Sequence, residues 1–272
     1  MFRIGGQSPV LADSNARLAA ARRLTDRRAR RDTGRFLAEG SPAVSEALGR
    51  PGSVVEVFGT ISGLRRHGKL LAAAEVPVYE ISSKAAANLS ETASPQGLVA
   101  VCRAVDVSLE RALARDLRLV VVLVHANDPG NAGTIVRTAD AAGADVVVFA
   151  GRSVDAYNGK AVRASAGSLF HLDIVVDVSP AEAIAAGRAA GLLVLAATGS
   201  GADDLDDLAD SGALRAPTQW LFGNESNGLP AEVTEAADRS VRVPIHGRAE
   251  SLNLAAAAAV CLYASAQAHR GK

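Results

Sequence analysis

The sequence predicts an α/β protein whose C-terminal part is a mostly parallel sheet covered by helices on both faces. The main observation is a series of Val- and Leu-rich runs separated by helical patterns: VVVLVHA, ADVVVFAG, LDIVVDV, GLLVLAAT, QWLFGN and SVRVPI. Near-continuous apolar strands that alternate with helices are typical of parallel sheets buried on both faces. Residues 35–103 contain shorter strand-like and helix-like runs, which indicate a smaller α/β domain ahead of the sheet.

This pattern divides the chain into three segments. We expect a first domain at residues 1–105, a linker at 106–116 and a second domain at 117–272. A length of 272 residues with 49% apolar content is enough for two buried cores. The N-terminal stretch MFRIGGQSPVLADSNARL lacks the apolar centre of a signal peptide, and no apolar run reaches the length of a bilayer span. A cytoplasmic protein is therefore expected.

Charged residues are segregated along the chain, although the formal net charge is zero. Aspartates cluster in GADDLDDLADSG, which has no His or Cys and favours a solvent-facing connection over a metal site. Arginines crowd the first helical pattern, at Arg17, Arg22, Arg23, Arg27, Arg28, Arg30, Arg31 and Arg35. Such a segment suits a nucleic-acid backbone, because arginine offers a planar fork to phosphate oxygens and each neutralised phosphate releases counterions. A solvated helix face explains the same composition equally well.

Several common functional classes are disfavoured by missing residues. The stretch GLRRHGKL has the spacing of a phosphate loop, but Leu70 stands where a hydroxyl group must bind magnesium. No G-x-G-x-x-G follows an apolar strand, which disfavours a dinucleotide-dependent oxidoreductase. The five histidines show no metal-ligand spacing, and Cys102 and Cys261 lie in apolar sequence typical of buried thiols. No metal is expected.

The stretch DPGNAGTIVRTADAAGA directly follows the apolar strand LRLVVVLVHA. Pro129 and Gly130 predict a turn, and Asn131 can satisfy open backbone groups at the start of a helix. Arg137 is unusual, because we place it in the early turns of that helix, where the macrodipole disfavours a cation. A compensating anion is therefore expected nearby, either a carboxylate of this chain or an RNA phosphate.

Two later stretches also follow predicted strands. In QWLFGNESNGLP, Gly223 leaves room for a flat ligand against the main chain, and Glu225 can accept hydrogen bonds or pair with an arginine. A plain tight loop explains these glycines equally well. In VRVPIHGRAESLNLAAAAAV, Ser251 is predicted to cap a helix of small residues, with Asn253 in its first turn. Ligands of parallel sheets bind in loops at the carboxyl ends of the strands.

Taken in this order, the three stretches resemble the motifs of the SpoU (TrmH-like) branch of the SPOUT superfamily of RNA 2'-O-ribose methyltransferases. KAVRASAGSLFHL resembles the family's segment between the first two motifs, and RFLAEGSPAVSEAL and NLSETASPQGLVAV resemble its ribosomal-protein-like (L30e-like) RNA-binding domain. The resemblance implies methyl transfer from S-adenosylmethionine, a deep C-terminal trefoil knot and a homodimer through the C-terminal domain. Asn224, Ser226 and Asn227 depart from the family's more usual residues.

The resemblance also implies roles for individual residues. The catalytic group would consist of Asn131, Arg137, Glu225, Ser251 and Asn253. The cofactor pocket would be lined by Thr198, Gly199, Gly223, Val243, Ile245 and Leu252. The RNA-binding arginines would be Arg22, Arg23, Arg27, Arg28, Arg30, Arg31 and Arg35.

Arg137 would position a phosphate and stabilise charge, since a free guanidinium is a poor base. Glu225 would orient Arg137 or Asn131. The two-domain layout resembles ribosomal RNA methylating enzymes, so 23S ribosomal RNA is the preferred substrate. A tRNA 2'-O-methyltransferase and a catalytically silent RNA-binding protein of the same fold are the alternatives.

Overall fold

A computed structural model describes residues 10–92 and 95–270, which divide into two compact units. Unit 1 consists of the chain up to Val105 together with Tyr157–His171, and unit 2 consists of Asp106–Ala156 and the chain from Leu172 onward. The start of the expected first domain, MFRIGGQSP, lies outside the described residues. The division differs from the expected boundaries in two respects, because Tyr157–His171 groups with unit 1 and residues 106–116 group with unit 2.

Unit 1 is built on a four-stranded sheet. Its elements are α1 (Ala16–Arg23), α2 (Arg27–Thr33), β1 (Arg35–Glu39), α3 (Ser41–Gly49), β2 (Val54–Gly59), α4 (Ile61–Arg66), α5 (Gly68–Ala72), β3 (Val78–Glu80), α6 (Ser83–Leu89) and β4 (Leu98–Arg103), with α9 (Gly159–Ser165) and a 3-10 turn (Ser168–Phe170) from the later segment. The strand order is β1-β4-β2-β3. β4 is antiparallel to both neighbours, whereas β2 and β3 are parallel.

The arginine-rich helix α1 has a buried apolar side. Asn15 caps its start by accepting a hydrogen bond from the Arg17 N–H group. Leu18 and Leu24 belong to a buried apolar cluster that also contains Phe58 and Val99 of the sheet. Burial of these leucines fixes α1 against the sheet and leaves most of its arginines exposed.

The segment Tyr157–His171 joins unit 1 through specific contacts. The Tyr157 hydroxyl accepts a hydrogen bond from the Val105 N–H group at 2.9 Å, and its ring lies 4.6 Å from that of Phe36. Arg163 forms an ion pair with the buried carboxylate of Glu39 at 3.3 Å. These contacts explain why a segment that follows the first motif in sequence groups with the other unit.

Unit 2 contains a seven-stranded sheet. Its elements are α7 (Leu109–Ala112), β5 (Leu119–Val124), α8 (Pro129–Ala141), β6 (Val146–Ala150), β7 (Asp173–Val178), α10 (Pro180–Ala189), β8 (Leu193–Ala197), β9 (Asp203–Asp204), α11 (Leu205–Asp210), a 3-10 turn (Ala213–Arg215), β10 (Thr218–Phe222), α12 (Ala231–Glu235), β11 (Arg239–Arg242) and α13 (Leu254–Arg270). The strand order is β7-β6-β5-β10-β8-β11-β9. All six neighbouring pairs are parallel, which confirms the predicted parallel α/β sheet.

Helices cover both faces of this sheet, as predicted. Leu221 of β10 lies in an apolar cluster with Ile184 of α10 and Val233 of α12. Successive strand residues point to opposite faces, and the neighbouring Trp220 donates its indole N–H to Ser265 of α13 at 2.9 Å. The sheet is therefore buried between α10 and α12 on one face and α13 on the other.

Both cysteines are buried, as predicted. Cys102 lies in β4 and Cys261 in α13, and each is fully shielded from solvent. Burial raises the pKa of each thiol to about 12. Among the described helices, none combines the length and apolar character needed to cross a membrane.

Candidate active site

Four loops meet at the carboxyl edge of the unit 2 sheet. Paired positions near the strand ends are Leu123 with Phe222, Phe222 with Ala197, and Ala197 with Val241. The loops after β5, β10, β8 and β11 therefore leave the sheet side by side. Ligands of parallel sheets bind at this edge, and the three sequence motifs lie here.

One chain of hydrogen bonds joins the three motifs. Asn253 donates its side-chain amide to Oδ1 of Asn131 at 3.2 Å. Asn131 in turn donates its own amide to Oε1 of Glu225 at 3.2 Å. Three residues that are far apart in sequence are thus brought together, as the resemblance implied, and all three are at least partly accessible to solvent.

Glu225 is held at the start of α8. Its carboxylate accepts hydrogen bonds from the main-chain N–H groups of Asn127 and Asp128, each at 3.2 Å. A negative charge is favourable beside the N-terminus of a helix. Partial burial alone would raise the pKa of Glu225, but the hydrogen bonds from Asn127, Asn131 and Asp128 and from its own N–H outweigh it, so the net pKa is lowered. Glu225 is therefore negatively charged at neutral pH, and its carboxylate holds the Asn131 side chain by a hydrogen bond.

Arg137 lies in a different place from the one expected. It is the ninth of the thirteen residues of α8, beyond the early turns in which it was predicted, and the helix macrodipole does not disfavour a cation there because its effect fades within the first turn. Its side chain is exposed and makes no hydrogen bond or ion pair with another described residue. Glu225 was expected to orient either Arg137 or Asn131. Its carboxylate accepts a hydrogen bond from Asn131 and is not bonded to Arg137.

The start of α13 also differs from the prediction. The helix begins at Leu254, and Asn253 rather than Ser251 caps it, since Asn253 Oδ1 accepts from the Ala255 N–H group at 2.9 Å. Ser251 is exposed and precedes the helix without bonding to another described residue. The Asn253 side chain therefore makes two contacts. Its Oδ1 caps α13, and its Nδ2 donates a hydrogen bond to Asn131.

The loop after β10 is compact and closely packed. A Cβ atom at Gly223 would lie 2.2 Å from the carbonyl carbon of Gly228, so only glycine fits there. Asn224 is 9% exposed, and its Oδ1 accepts from the N–H groups of Ser226 and Asn227 at 2.8 and 3.2 Å. Asn224, noted above as a departure from the family pattern, thus organises this loop.

Sequence reasoning missed His125, which was assigned no function. His125 directly follows β5 and has a left-handed conformation with φ of 55°. Its carbonyl accepts a hydrogen bond from the Asn224 amide at 2.9 Å, and its Nδ1 accepts from the Arg152 N–H group at 3.0 Å. A non-glycine residue held in this conformation is a known sign of a constrained site. The backbone torsion of His125 could not be predicted from the pattern of residue types in the sequence.

The expected cofactor residues lie on the same edge. A Cβ atom at Gly201 would lie 2.4 Å from the carbonyl carbon of Val241, whereas a Cβ atom at Gly199 would meet nothing within 4 Å. The Thr198 N–H group donates to the Val241 carbonyl at 2.9 Å, which fixes this loop beside β11. Val243 is half-buried, and Ile245 and Leu252 are each 39% exposed. Thr198, Val243 and Gly223 therefore directly follow neighbouring strands of this edge, and Gly199, Ile245 and Leu252 lie in the loops that leave it.

The arginines of unit 1 fall into two groups. Six of the seven proposed RNA-binding arginines are exposed: Arg22, Arg23, Arg27, Arg28, Arg31 and Arg35. Arg30 is 6% exposed and donates to the main-chain carbonyls of Leu24 and Thr25, both at 2.9 Å. Arg30 is therefore a structural residue that holds the turn between α1 and α2, and its assignment to RNA binding is corrected.

Within residues 10–92 and 95–270, no group of three or more His, Cys, Asp or Glu side chains is arranged to hold a metal ion. The acidic stretch forms β9 and α11, and Asp203 and Asp204 form ion pairs with Arg239 and Arg242 of β11 at 3.3 Å. Two aspartates of this stretch are therefore neutralised by arginines of the neighbouring strand.

Residues 118–263 match the profile of the SpoU rRNA methylase family, and residues 15–100 match that of the MRM3-like substrate-binding domain. The chain is 33% identical over 251 residues to the 23S rRNA (guanosine(2553)-2'-O)-methyltransferase RlmP of Bacillus subtilis, covering 92% of this chain and 95% of that protein.

Solved structures give the same picture. The SpoU methyltransferase AviRb of Streptomyces viridochromogenes in complex with AdoMet superposes with a TM-score of 0.83 at 32% identity, covering 94% of this chain and 99% of that chain. An AdoMet-bound rRNA methyltransferase of Sinorhizobium meliloti gives a TM-score of 0.80 at 30% identity, covering 95% and 97%.

The parallel sheet, the three joined motifs and these similarities define an RNA methylase. More narrowly, the chain belongs to the SpoU rRNA methylase family, as its motifs predict.

Proposed function

We propose that this enzyme transfers the methyl group of S-adenosylmethionine to a ribose 2'-hydroxyl in 23S ribosomal RNA. The observation that carries the proposal is the hydrogen-bonded chain Asn253–Asn131–Glu225, which joins all three motifs at the carboxyl edge of the sheet. RlmP and the rRNA methyltransferase of Sinorhizobium meliloti, both similar along nearly the whole chain, support ribosomal RNA over tRNA as the substrate. The same proposal assigns the enzyme to the cytoplasm.

The residues at this edge fit S-adenosylmethionine. A flat adenine ring suits the exposed apolar side chains of Ile245 and Leu252, and the open space at Gly199 leaves the main chain of that loop accessible. Gly223 packs directly against the main chain of Gly228, which keeps the loop after β10 compact at this edge of the sheet. Thr198 and Val243 complete the proposed pocket. When bound, S-adenosylmethionine supplies an electrophilic methyl group on its sulfonium.

The side chains of the protein position the target ribose and the neighbouring phosphate. We assign to Asn253 and Ser251 the orientation of the target ribose, and to Asn131 the link that fixes Asn253 to the anionic Glu225. Arg137 holds a phosphate next to that ribose, because its exposed guanidinium bonds to none of the described residues and is available to a phosphate oxygen. Holding the 2'-hydroxyl in line with the methyl group lowers the barrier by removing the entropic cost of alignment.

Two finer features of the fold belong to the same proposal. The insertion of β10 between β5 and β8, and of β11 between β8 and β9, supports a C-terminal trefoil knot. The four-stranded sheet of unit 1 and its match to a substrate-binding domain support an L30e-like RNA-binding domain at residues 1–105. Its exposed arginines supply phosphate contacts.

We also propose a homodimer through α13. Val260 and Tyr263 are 42% and 52% exposed on this helix, although its opposite side is buried at Ala258 and Leu262. Exposed apolar side chains at a spacing of three residues share one helix face and favour association. Sedimentation at micromolar concentration should give a dimer, and a fully active monomer would refute this part of the proposal.

Methyl transfer in vitro tests the function. Purified protein should transfer tritiated methyl from S-adenosylmethionine to unmodified 23S ribosomal RNA, and nuclease mapping should place it on one ribose 2'-oxygen. Unmodified tRNA is the comparison substrate, and preferential labelling of tRNA would favour the tRNA alternative. Binding of S-adenosylmethionine is measured separately by calorimetry. An absence of binding would identify a silent RNA-binding protein.

A further inference from the structure

A surface groove lies between α1 and α6 of unit 1, outside the site described above. Its volume is about 460 Å³, within the range of pockets that hold small organic ligands. Leu18, Ala85 and Leu89 line it, and each is less than 9% exposed, so they form an apolar floor. The exposed side chains of Arg22, Arg23 and Asn88 also line it.

These polar side chains are available for a ligand. Among the described residues, Arg22, Arg23 and Asn88 make no side-chain hydrogen bond or ion pair. Asp13 is the acidic residue of the lining, and its carboxylate already accepts a hydrogen bond from the Ser82 hydroxyl at 2.7 Å. The groove thus combines an apolar floor, two unpaired cations and one amide that can donate and accept.

We propose that this groove binds a single unstacked nucleotide of the RNA substrate. The inference rests on the proposed function and extends it by assigning a base-binding subsite to unit 1. An unstacked base has apolar faces that suit the leucine floor and polar edges that suit an amide such as Asn88. Its flanking phosphates suit Arg22 and Arg23, because guanidinium groups pair with phosphate oxygens and also stack on bases. The groove volume is sufficient for about one nucleotide.

Two neighbouring alanines of α1 provide a matched test. Ala19 and Ala20 are both exposed, but only Ala19 is part of the groove lining. Ala19→Glu and Ala20→Glu each add one negative charge to the same helix, so their general repulsion of RNA is similar. A base-binding groove predicts that Ala19→Glu weakens RNA binding about tenfold more than Ala20→Glu does, because only Ala19→Glu places its carboxylate in the groove and displaces the base.

The probe is a fluorescent single-stranded oligoadenylate of about ten nucleotides, compared with an abasic ribose-phosphate strand of equal length. The wild-type protein should bind oligoadenylate more tightly, and Ala19→Glu should abolish this preference. Asn88→Ala, an exposed change that spares the fold, should reduce the preference without altering the salt dependence of binding. Melting temperatures of all variants establish that they are folded.

Equal binding of the two strands by the wild type, or equal weakening by the two glutamate variants, would overturn the groove assignment and leave only surface phosphate contacts. Methyl transfer to 23S ribosomal RNA by the same wild-type preparation tests the proposed function independently. Transfer without a base preference would reject the groove alone, whereas a base preference without transfer would reject the proposed function alone.

Discussion

The side-chain amide of Asn224 donates a hydrogen bond to the main-chain carbonyl of His125 at 2.9 Å. This bond ties the loop after β10 to the end of β5, where His125 has its left-handed conformation. Glu225, the residue after Asn224, belongs to the same arrangement, because its carboxylate accepts from the N–H groups of Asn127 and Asp128, two and three residues beyond His125. The position of the Glu225 carboxylate therefore depends on Asn224.

Replacing Asn224 tests this dependence. Asn224→Ala removes the bond to His125 and leaves the N–H groups of Ser226 and Asn227 without their acceptor, so we expect a loss of about 1–3 kcal/mol in stability. Turnover should fall as Glu225 loses its fixed position. Asn227→Ala is the control, because the Asn227 side chain bonds to no other described residue. Thermal unfolding and methyl-transfer rates measure both effects, and identical behaviour of the two variants would contradict the role of Asn224.

The lowered pKa of Glu225 makes a prediction about pH. A carboxyl group whose pKa is lower in the folded state contributes stability above its unfolded pKa and loses that contribution as the pH falls through the folded pKa. Glu225→Gln should therefore be less stable than the wild type at neutral pH, and the difference should shrink in acid below the usual glutamate range. Chemical denaturation across this pH range measures it. A difference that stays constant down to the most acidic condition would show that ionisation of Glu225 is not involved.

Two arginines of α2 should behave in opposite ways. Arg30→Ala removes buried hydrogen bonds to the carbonyls of Leu24 and Thr25, so the melting temperature should fall. Arg31→Ala removes an exposed cation, so stability should be nearly unchanged while RNA binding weakens and its salt slope decreases by about 0.7–0.9. Titrations at several salt concentrations measure the slope. An unchanged salt slope for Arg31→Ala would show that this face of α2 is exposed to solvent and does not contact RNA phosphates.

Arg137→Ala should lower turnover by about two to three orders of magnitude, the usual loss when one donor to a transition state is removed. Cofactor affinity and melting temperature should hardly change, because Arg137 is exposed and bonds to no other described residue. Arg137→Lys should restore little, since an ammonium group cannot reproduce a two-pronged contact. Thr134→Ala, at an exposed position one turn earlier in α8, is a control. Parallel losses of stability, cofactor binding and activity would instead indicate a structural arginine.

The sequence predicted the parallel sheet well, because runs such as LRLVVVLVHA contain enough Val and Leu to be buried on both faces. It predicted the meeting of Asn131, Glu225 and Asn253 only through the family resemblance, since spacing alone does not indicate which strand ends are neighbours. Local helix geometry was less predictable. Ser251 and Asn253 are both good capping residues, and tertiary contacts with Asn131 favour Asn253. The burial of Arg30 and the torsion of His125 depend on the folded chain.

Mapping 2'-O-methylation in total RNA from the source strain and from a strain that lacks this gene tests the central claim most directly. Our account predicts that one ribose methylation of 23S ribosomal RNA disappears in the deletion strain and returns with the wild-type gene but not with the Arg137→Ala variant. A complete, unchanged set of 23S ribosomal RNA methylations in the deletion strain would contradict it.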